Sequence, residues 1–218
     1  MAVQSGPEVV PVEREGVRGF LHTPGDQPSA GLVLTHGAGG DCASPLLLAV
    51  ANAFCAAGLA VLRCDLPFRQ ERRTGAPSPA KSAKDRAGLK AAVKVLREIV
   101  SGDVYLGGQS YGGRQATMLC ADEPELAQGL LLLSYPLHPP GKPNQLRTEH
   151  LPRLLTPAVF VHGAADPFGS IAEMELALAM IPAPTKLLVI EGAGHDLKRG
   201  RFDLAGMVAA LHGPASAR

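Results

Sequence analysis

The sequence contains no tryptophan, and aromatic residues make up only 4% of its 218 positions. Surfaces that stack nucleic-acid bases are therefore not expected. An excess of one charge sign is also missing, because 21 basic residues stand against 20 acidic ones, for a formal net charge of +1. Nucleic acids and anionic membranes are recognised through a concentrated positive field, so we expect neither as a partner.

Cysteine is scarce, and none of the four cysteines belongs to a CxxC pair or matches the spacing of a zinc site. The histidines show no HExxH or similar ligand spacing, so no metal and no other cofactor is expected. No segment approaches the roughly 18 apolar residues of a membrane span. The first residues lack the basic start and apolar run of a signal peptide. We therefore expect a soluble cytoplasmic protein with buried thiols at Cys55, Cys64 and Cys120, of unknown oligomeric state.

Short apolar runs alternate with helical patterns along the chain, and 46% of its residues are hydrophobic. This alternation predicts one α/β domain over residues 1–218, with a mostly parallel sheet of about seven strands covered by helices on both faces. Residues 213–218 are expected to be a flexible tail. Seven runs are typical of strands: 16–23, 31–35, 59–65, 103–108, 129–135, 157–163 and 185–192.

Five segments between these runs have the patterns of helices: 44–57, 82–100, 111–123, 170–181 and 201–212. The segment 82–100 carries Leu89, Val93, Leu96 and Val100 along one face. Two proline-rich stretches, 67–81 and 136–157, are predicted to be loops.

The strongest chemical signal is the pentapeptide GQSYG at 108–112, which follows a predicted strand and precedes a predicted helix. A turn this short strains the backbone of its central residue, and side chains two positions to either side would collide. The turn raises Ser110 above the sheet edge and directs a helix N-terminus towards developing negative charge. An ordinary glycine-rich turn is the alternative. The context favours a nucleophilic Ser110.

A nucleophilic serine needs a base, and the base needs an orienting acid. Asp166 and His195 each follow a predicted strand, in the chain order Ser, Asp, His that such hydrolases use. They are therefore the predicted acid and base. Alone, Asp166 could make only an Asx turn before Pro167, and His195 could be an exposed residue. Asp196 and Glu191 are weaker rivals as the acid.

A second glycine-rich segment, HGAGG at 36–40, directly follows another predicted strand. A tetrahedral intermediate needs backbone N–H groups aimed at its oxyanion, which nominates Tyr111 together with Ala38 or Gly39. A phosphate-binding loop is the competing interpretation, but the segment lacks the GK[ST] ending. His36 is expected to hold this loop by hydrogen bonding.

The motifs HGAGGD, GGQSYGGR, HGAAD and GAGHDL together resemble those of the α/β-hydrolase superfamily, over nearly the whole chain. More narrowly, LRCDLPF and LSYPLHPPGKP resemble the group that includes the testis-expressed protein 30 and KAT8 regulatory NSL complex subunit 3 hydrolase-like domains, some of which are thought to be scaffold components. Dienelactone hydrolases are more distant. They use cysteine where this chain has Ser110, so their substrate is not implied.

The resemblance implies a three-layer α/β-hydrolase fold, and the 22-residue interval 136–157 is too short for a cap domain. The predicted function is hydrolysis of an ester or thioester of a small acid through Ser110, His195 and Asp166. Arg69, Arg114 and Tyr135 are candidate substrate contacts. The alternatives are an idle hydrolase-fold scaffold, which a fluorophosphonate would not label, or a perhydrolase or lyase that uses the same triad.

Overall fold

The computed structural model describes residues 8–25, 27–28, 30–200 and 202–212. Its strands form one sheet in the order β1-β2-β4-β3-β5-β6-β7-β8. The strands are β1 (Glu8–Arg14), β2 (Val17–Thr23), β3 (Ala30–Thr35), β4 (Leu59–Cys64), β5 (Val104–Gln109), β6 (Leu130–Leu133), β7 (Ala158–Gly163) and β8 (Thr185–Ile190). The seven predicted strands are therefore all present, and β1 is an eighth that the sequence did not indicate.

Strand β1 was missed because it lies at the edge of the sheet. Its residues are mostly exposed, and Pro11 lies inside it, which is tolerated only on an edge strand. It pairs antiparallel with β2, which in turn pairs antiparallel with β4. From β4 through β3 to β8 every pairing is parallel, as the continuous apolar runs predicted.

The order in which successive strands join the parallel sheet reverses at β3: β4 is added on one side of it, and β5 to β8 follow on the other. This strand is flanked by β4 on one side and by β5 on the other. At such a switch point the loops that follow the two neighbouring strands run in opposite directions and leave a crevice at the carboxyl edge. The loops that follow β3 and β5 carry the two glycine-rich motifs, so the topology brings those motifs together.

Helices cover both faces of the sheet, which confirms the three-layer arrangement. They are α1 (Pro45–Ala56), α2 (Pro67–Glu71), α3 (Ser82–Arg97), α4 (Tyr111–Asp122), α5 (Ile171–Leu178) and α6 (Leu204–His212). Apolar side chains of α3, α4 and α5 pack in one core, and those of α1 and α6 pack in a second core on the other face. Leu89, Val93, Leu96 and Val100 are all buried as predicted, although α3 ends at Arg97.

Local signals account for several helix starts. The Ser44 side chain accepts a hydrogen bond from Leu47 N, and Pro45 is the first residue of α1. Ser170 and Glu173 form a capping box at the start of α5. Both α5 and α6 are shorter than predicted, and residue 201, the predicted start of α6, lies outside the described residues.

One of the two segments predicted to be loops contains a helix, and the other does not. The segment 67–81 is not a simple loop, because it contains α2 and a 3₁₀ turn at Pro79–Lys81. The segment 136–157 contains only the 3₁₀ turn Leu151–Arg153, so it builds no cap. The predicted tail at 213–218 lies outside the described residues. Among the helices described, none is long and apolar enough to cross a membrane.

Candidate active site

The turn between β5 and α4 holds Ser110 in a backbone conformation that side chains rarely adopt, with φ of 49° and ψ of −115°. Glycine is required on both sides. A Cβ at position 108 would lie 2.8 Å from Gly112 C, and a Cβ at position 112 would lie 2.5 Å from His36 O. The local geometry is therefore the strained strand-to-helix turn that the pentapeptide predicts.

Asp166, His195 and Ser110 form one continuous hydrogen-bonded series. Nε2 of His195 lies 2.8 Å from Ser110 Oγ, and its Nδ1 lies 2.8 Å and 3.0 Å from the two carboxylate oxygens of Asp166. An ionised carboxylate only accepts, so Nδ1 carries the proton. Nε2 is then free to accept the proton of the serine hydroxyl.

Asp166 follows β7, and its side chain is fully buried. Its Oδ1 also accepts a hydrogen bond from Phe168 N at 2.8 Å. The Asx turn considered as an alternative is thus present together with the contact to His195, and it fixes the orientation of the carboxylate.

His195 lies in the loop after β8, and its ring stacks on Phe168 with the ring centroids 3.9 Å apart. The rival acids lie elsewhere. Asp196 is exposed and forms an ion pair with Lys198 at 3.5 Å. Glu191 is exposed and follows β8, not within the strand as the sequence suggested. Phe168 was not singled out from the sequence, because stacking depends on the path of the loop after Asp166.

The loop after β3 runs beside the nucleophile. A Cβ at Gly37 would lie 3.4 Å from Ser110 Cβ, so the loop passes in contact with the serine. Ala38 and Gly39 line the same cleft. Tyr111 is the first residue of α4, where N–H groups have no acceptor within the helix. These positions are suitable for an oxyanion hole.

Buried side chains hold this loop in place. His36 is completely buried; its Nδ1 lies 2.8 Å from Gly37 O, and its Nε2 accepts from Leu66 N at 3.1 Å. Asp65, just after β4, accepts from Cys42 N at 2.8 Å. His36 therefore has the supporting position predicted for it.

Arg69 has a different role from the substrate contact expected of it. The side chain is 5% exposed, and its guanidinium donates to the carbonyls of Ala38 (2.7 Å), Gly40 (2.8 Å), Arg72 (3.2 Å) and Gly75 (3.2 Å). Main-chain oxygens thus occupy its donors. Arg69 supports the loop 36–40, the proposed oxyanion loop, and does not line the cleft.

Tyr135 also differs from its predicted role. Its side chain is 1% exposed, and its hydroxyl donates to Arg147 O at 2.8 Å. The ring packs edge-on against Phe160 in the core. Burial raises the pKa of this phenol to about 12. Tyr135 therefore fixes the loop that carries Arg147 and is not among the residues that line the cleft.

An open cleft of about 990 Å³ surrounds Ser110 and His195. The loop 136–157 borders it through Pro136 and Arg147 without covering the serine. Arg114 lines the cleft, as predicted for a substrate contact. Arg147 and Gln115 also line it. The sequence did not single them out, because a lone basic or amide side chain in a loop or helix gives no motif.

Asp85 is a further buried group of the site. Its carboxylate accepts from Phe68 N at 3.0 Å and from the hydroxyl of Tyr111 at 2.7 Å. Burial, and next the hydrogen bond to Asp85, raise the pKa of Tyr111 above its ordinary value. Asp85 thus ties the residue after the nucleophile to α2. Within the described ranges no cluster of three or more histidine, cysteine or acidic residues could hold a metal.

Comparison with known proteins decides the family. The family model described as an alpha/beta hydrolase domain matches residues 28–206. The chain is an α/β hydrolase. The narrower resemblance to the testis-expressed protein 30 group stays a prediction.

Solved structures agree with this α/β-hydrolase fold. A dienelactone hydrolase from Anabaena variabilis is 24% identical, with a TM-score of 0.71 over 90% of this chain and 91% of that one. Est1E from Butyrivibrio proteoclasticus with bound ferulic acid is 18% identical, with a TM-score of 0.71 over 92% of this chain and 95% of that one. A lidless α/β serine hydrolase from Xanthomonas campestris is 16% identical, with a TM-score of 0.68 over 94% of this chain and 93% of that one. At these identities the likeness shows the fold alone.

Proposed function

We propose that this α/β hydrolase cleaves an ester or thioester of a small acid through a covalent acyl-enzyme on Ser110. The observation that carries the proposal is the unbroken series from Asp166 through His195 to Ser110, with the serine hydroxyl 2.8 Å from Nε2. Every donor and acceptor in this series faces the partner that acyl transfer needs.

In the proposed reaction, Ser110 Oγ attacks the carbonyl carbon as Nε2 of His195 takes its proton. The resulting oxyanion accepts hydrogen bonds from the N–H groups of Tyr111 and of Ala38 or Gly39. Asp166 stabilises the imidazolium. His195 then returns the proton to the leaving alcohol or thiol, which departs and leaves the acyl group on Ser110.

Water completes the cycle in the second half-reaction. His195 deprotonates a water molecule, which attacks the acyl carbonyl, and the proton passes to Ser110 as the acid leaves. The absence of a cap from 136–157 supports access of this water and of small substrates. An uncapped cleft has few walls with which to select a long acyl chain.

A panel of short-chain p-nitrophenyl esters and acyl thioesters tests the proposal. We expect turnover of the shortest members, and Ser110→Ala should reduce it on the order of 10⁴-fold or more. Ser101→Ala, which alters an exposed serine before β5, is the matched control and should leave the rate unchanged.

Three results of the same panel would contradict the proposal. If no ester or thioester is turned over, the scaffold alternative is favoured. If turnover survives Ser110→Ala, the nucleophile lies elsewhere. If products form only with added peroxide, or without net hydrolysis, product analysis identifies a perhydrolase or a lyase.

A further inference from the structure

The first turns of α4 leave hydrogen-bond donors without acceptors close to the nucleophile. Gln115 is completely buried; its Oε1 accepts from Arg86 Nη1 at 3.1 Å, but its Nε2 has no partner. The adjacent Arg114 is half-buried, and its Nε is buried without an acceptor. Buried donors without acceptors are uncommon and costly in folded proteins. Both residues line the cleft.

A second guanidinium lines the same cleft. Arg147 comes from the loop 136–157 and donates through Nη1 to Pro136 O at 3.2 Å. Burial and the charge of Arg114 both lower the pKa of Arg147. The two cations therefore lie close enough to repel each other. A bound anion would offset that repulsion.

Carboxylates of the chain do not neutralise this pair. Among the described residues, neither Arg114 nor Arg147 takes part in an ion pair. Lys198, a third cation of the cleft, already pairs with Asp196. The buried carboxylate of Asp85 is occupied by Phe68 N and the Tyr111 hydroxyl. The positive charge of Arg114 and Arg147 thus faces the cleft uncompensated.

We infer that Arg114 and Arg147 bind a carboxylate carried by the acyl part of the substrate, an inference that rests on the proposed serine hydrolase function. Planar guanidinium groups pair with carboxylates through two parallel hydrogen bonds, and a half-buried cleft screens that attraction less than open solvent does.

Arg114 lies close to Ser110 along the chain of α4. Its backbone N donates to Ser110 O at 2.9 Å, so it comes one turn after the serine. A carboxylate bound there, with the reacting carbonyl at Ser110, indicates a short acyl chain. The substrate class that fits is a half-ester or half-thioester of a short dicarboxylic acid, for which glutaric acid is the probe.

Two measurements on the whole protein test the inference. The first is titration calorimetry with glutarate and with glutaramide, the diamide of the same carbon chain, which carries no charge. The second is the ratio of kcat/KM for monoethyl glutarate to that for ethyl pentanoate. Both are made on the wild type, Arg114→Met, Arg114→Lys and Arg147→Met. Lys142→Met is the matched control, because it removes an exposed cation of the same loop as Arg147.

We expect glutarate to bind the wild type at least about tenfold more tightly than glutaramide. Arg114→Met and Arg147→Met should each lower this preference about tenfold. Arg114→Lys should lower this preference less, because lysine keeps the positive charge but lacks the planar guanidinium with its paired N–H donors. Lys142→Met should keep the preference of the wild type.

The outcomes separate this inference from the proposed function. Ser110-dependent turnover of p-nitrophenyl acetate, with glutarate binding no more tightly than glutaramide, overturns the carboxylate inference and leaves the hydrolase standing. Absence of any turnover, with tight glutarate binding that Arg114→Met abolishes, overturns the hydrolase and leaves the carboxylate site. The comparison of the two ligands on the wild type needs no variant, so it decides even where a substitution impairs folding.

Discussion

Arg69 and Arg114 both lie close to Ser110, but their hydrogen bonds differ. Arg69 is buried and donates to four main-chain carbonyls, two of them in the loop 36–40. Arg114 is half-buried, leaves its Nε without an acceptor and has no carboxylate partner among the described residues. Two arginines near the same serine can thus differ in whether their donors are bound by the main chain or left in part without a partner.

The residues in and around the cleft fall into two groups, called sides here, according to whether their polar groups have hydrogen-bond partners. One side consists of the triad, the oxyanion loop and Arg69, whose polar groups bind one another. The other consists of Arg114, Gln115 and Arg147, whose donors are only partly used. Substitutions on the first side should slow every substrate alike. Substitutions on the second should change which substrate is preferred.

The largest effect is expected from the first side, at Asp166. Asp166→Asn keeps the shape of the side chain but favours the wrong tautomer of His195, so kcat should fall on the order of 10⁴-fold for neutral and anionic esters alike. Steady-state kinetics on p-nitrophenyl acetate and monoethyl glutarate measures this.

The matched control is Asp196→Asn, which alters the exposed neighbour of His195. It should leave kcat for the neutral ester p-nitrophenyl acetate close to that of the wild type, because its carboxylate is exposed and pairs with Lys198 and not with His195. If kcat fell equally in the two variants, the assignment of Asp166 as the acid would be wrong.

Arg69→Ala should have the next largest effect. It leaves four carbonyls without their charged donor and loosens the oxyanion loop, so kcat should fall about 10- to 100-fold for all esters. The free energy of unfolding should fall by about 3 kcal/mol, since the donor is charged and buried. Urea unfolding and kinetics on the same preparation measure both.

Arg73→Ala, a change at an exposed arginine of the same segment, is the control for Arg69→Ala and should alter neither quantity. If Arg69→Ala instead weakened only anionic substrates, Arg69 would belong to the substrate-facing side, and the division of the cleft would be wrong.

The smallest expected effect is on how the free energy of unfolding depends on pH. Burial, and next the charges of Arg114 and Arg153, lower the pKa of His150 to about 4 from its ordinary value of 6.5. The unfolded chain therefore binds this proton at a higher pH than the folded one does. The stability that neutral His150 contributes is complete above about pH 6.5 and is lost as the pH falls towards 4.

His150→Gln checks this expectation, because glutamine can still donate to the Thr117 hydroxyl that lies 2.8 Å from His150 Nε2. The free energy of unfolding of the wild type should drop between pH 6.5 and 4 on the order of 2 kcal/mol more than that of the variant. Urea unfolding at the two pH values measures the difference. An identical acid response of the two proteins would contradict it.

The proximity of Ser110, Asp166 and His195 could be predicted from the sequence because each follows its own strand. Parallel strands bring their carboxyl ends to one edge, so Ser110, Asp166 and His195 could be placed together without knowledge of any side-chain contact. The nucleophile turn was also predictable, since its two glycines are required by backbone contacts two residues apart.

The roles of single polar side chains could not be predicted in this way. Whether Arg69 binds carbonyls or a substrate depends on the path of two loops that meet only in the folded protein. Arg147 and Phe168 reach the cleft through loop conformations that no local pattern encodes. Strand β1 was missed for a related reason: an exposed edge strand with an internal proline lacks the alternation of apolar residues that marks a strand.

The most direct test of a nucleophilic Ser110 is covalent labelling with a fluorophosphonate, followed by intact-mass and peptide analysis. We expect one adduct per chain on the peptide that contains Ser110, absent in Ser110→Ala, slowed in Asp166→Asn and retained in Ser101→Ala. A wild-type protein that stays unlabelled, or an adduct on any other residue, would contradict it.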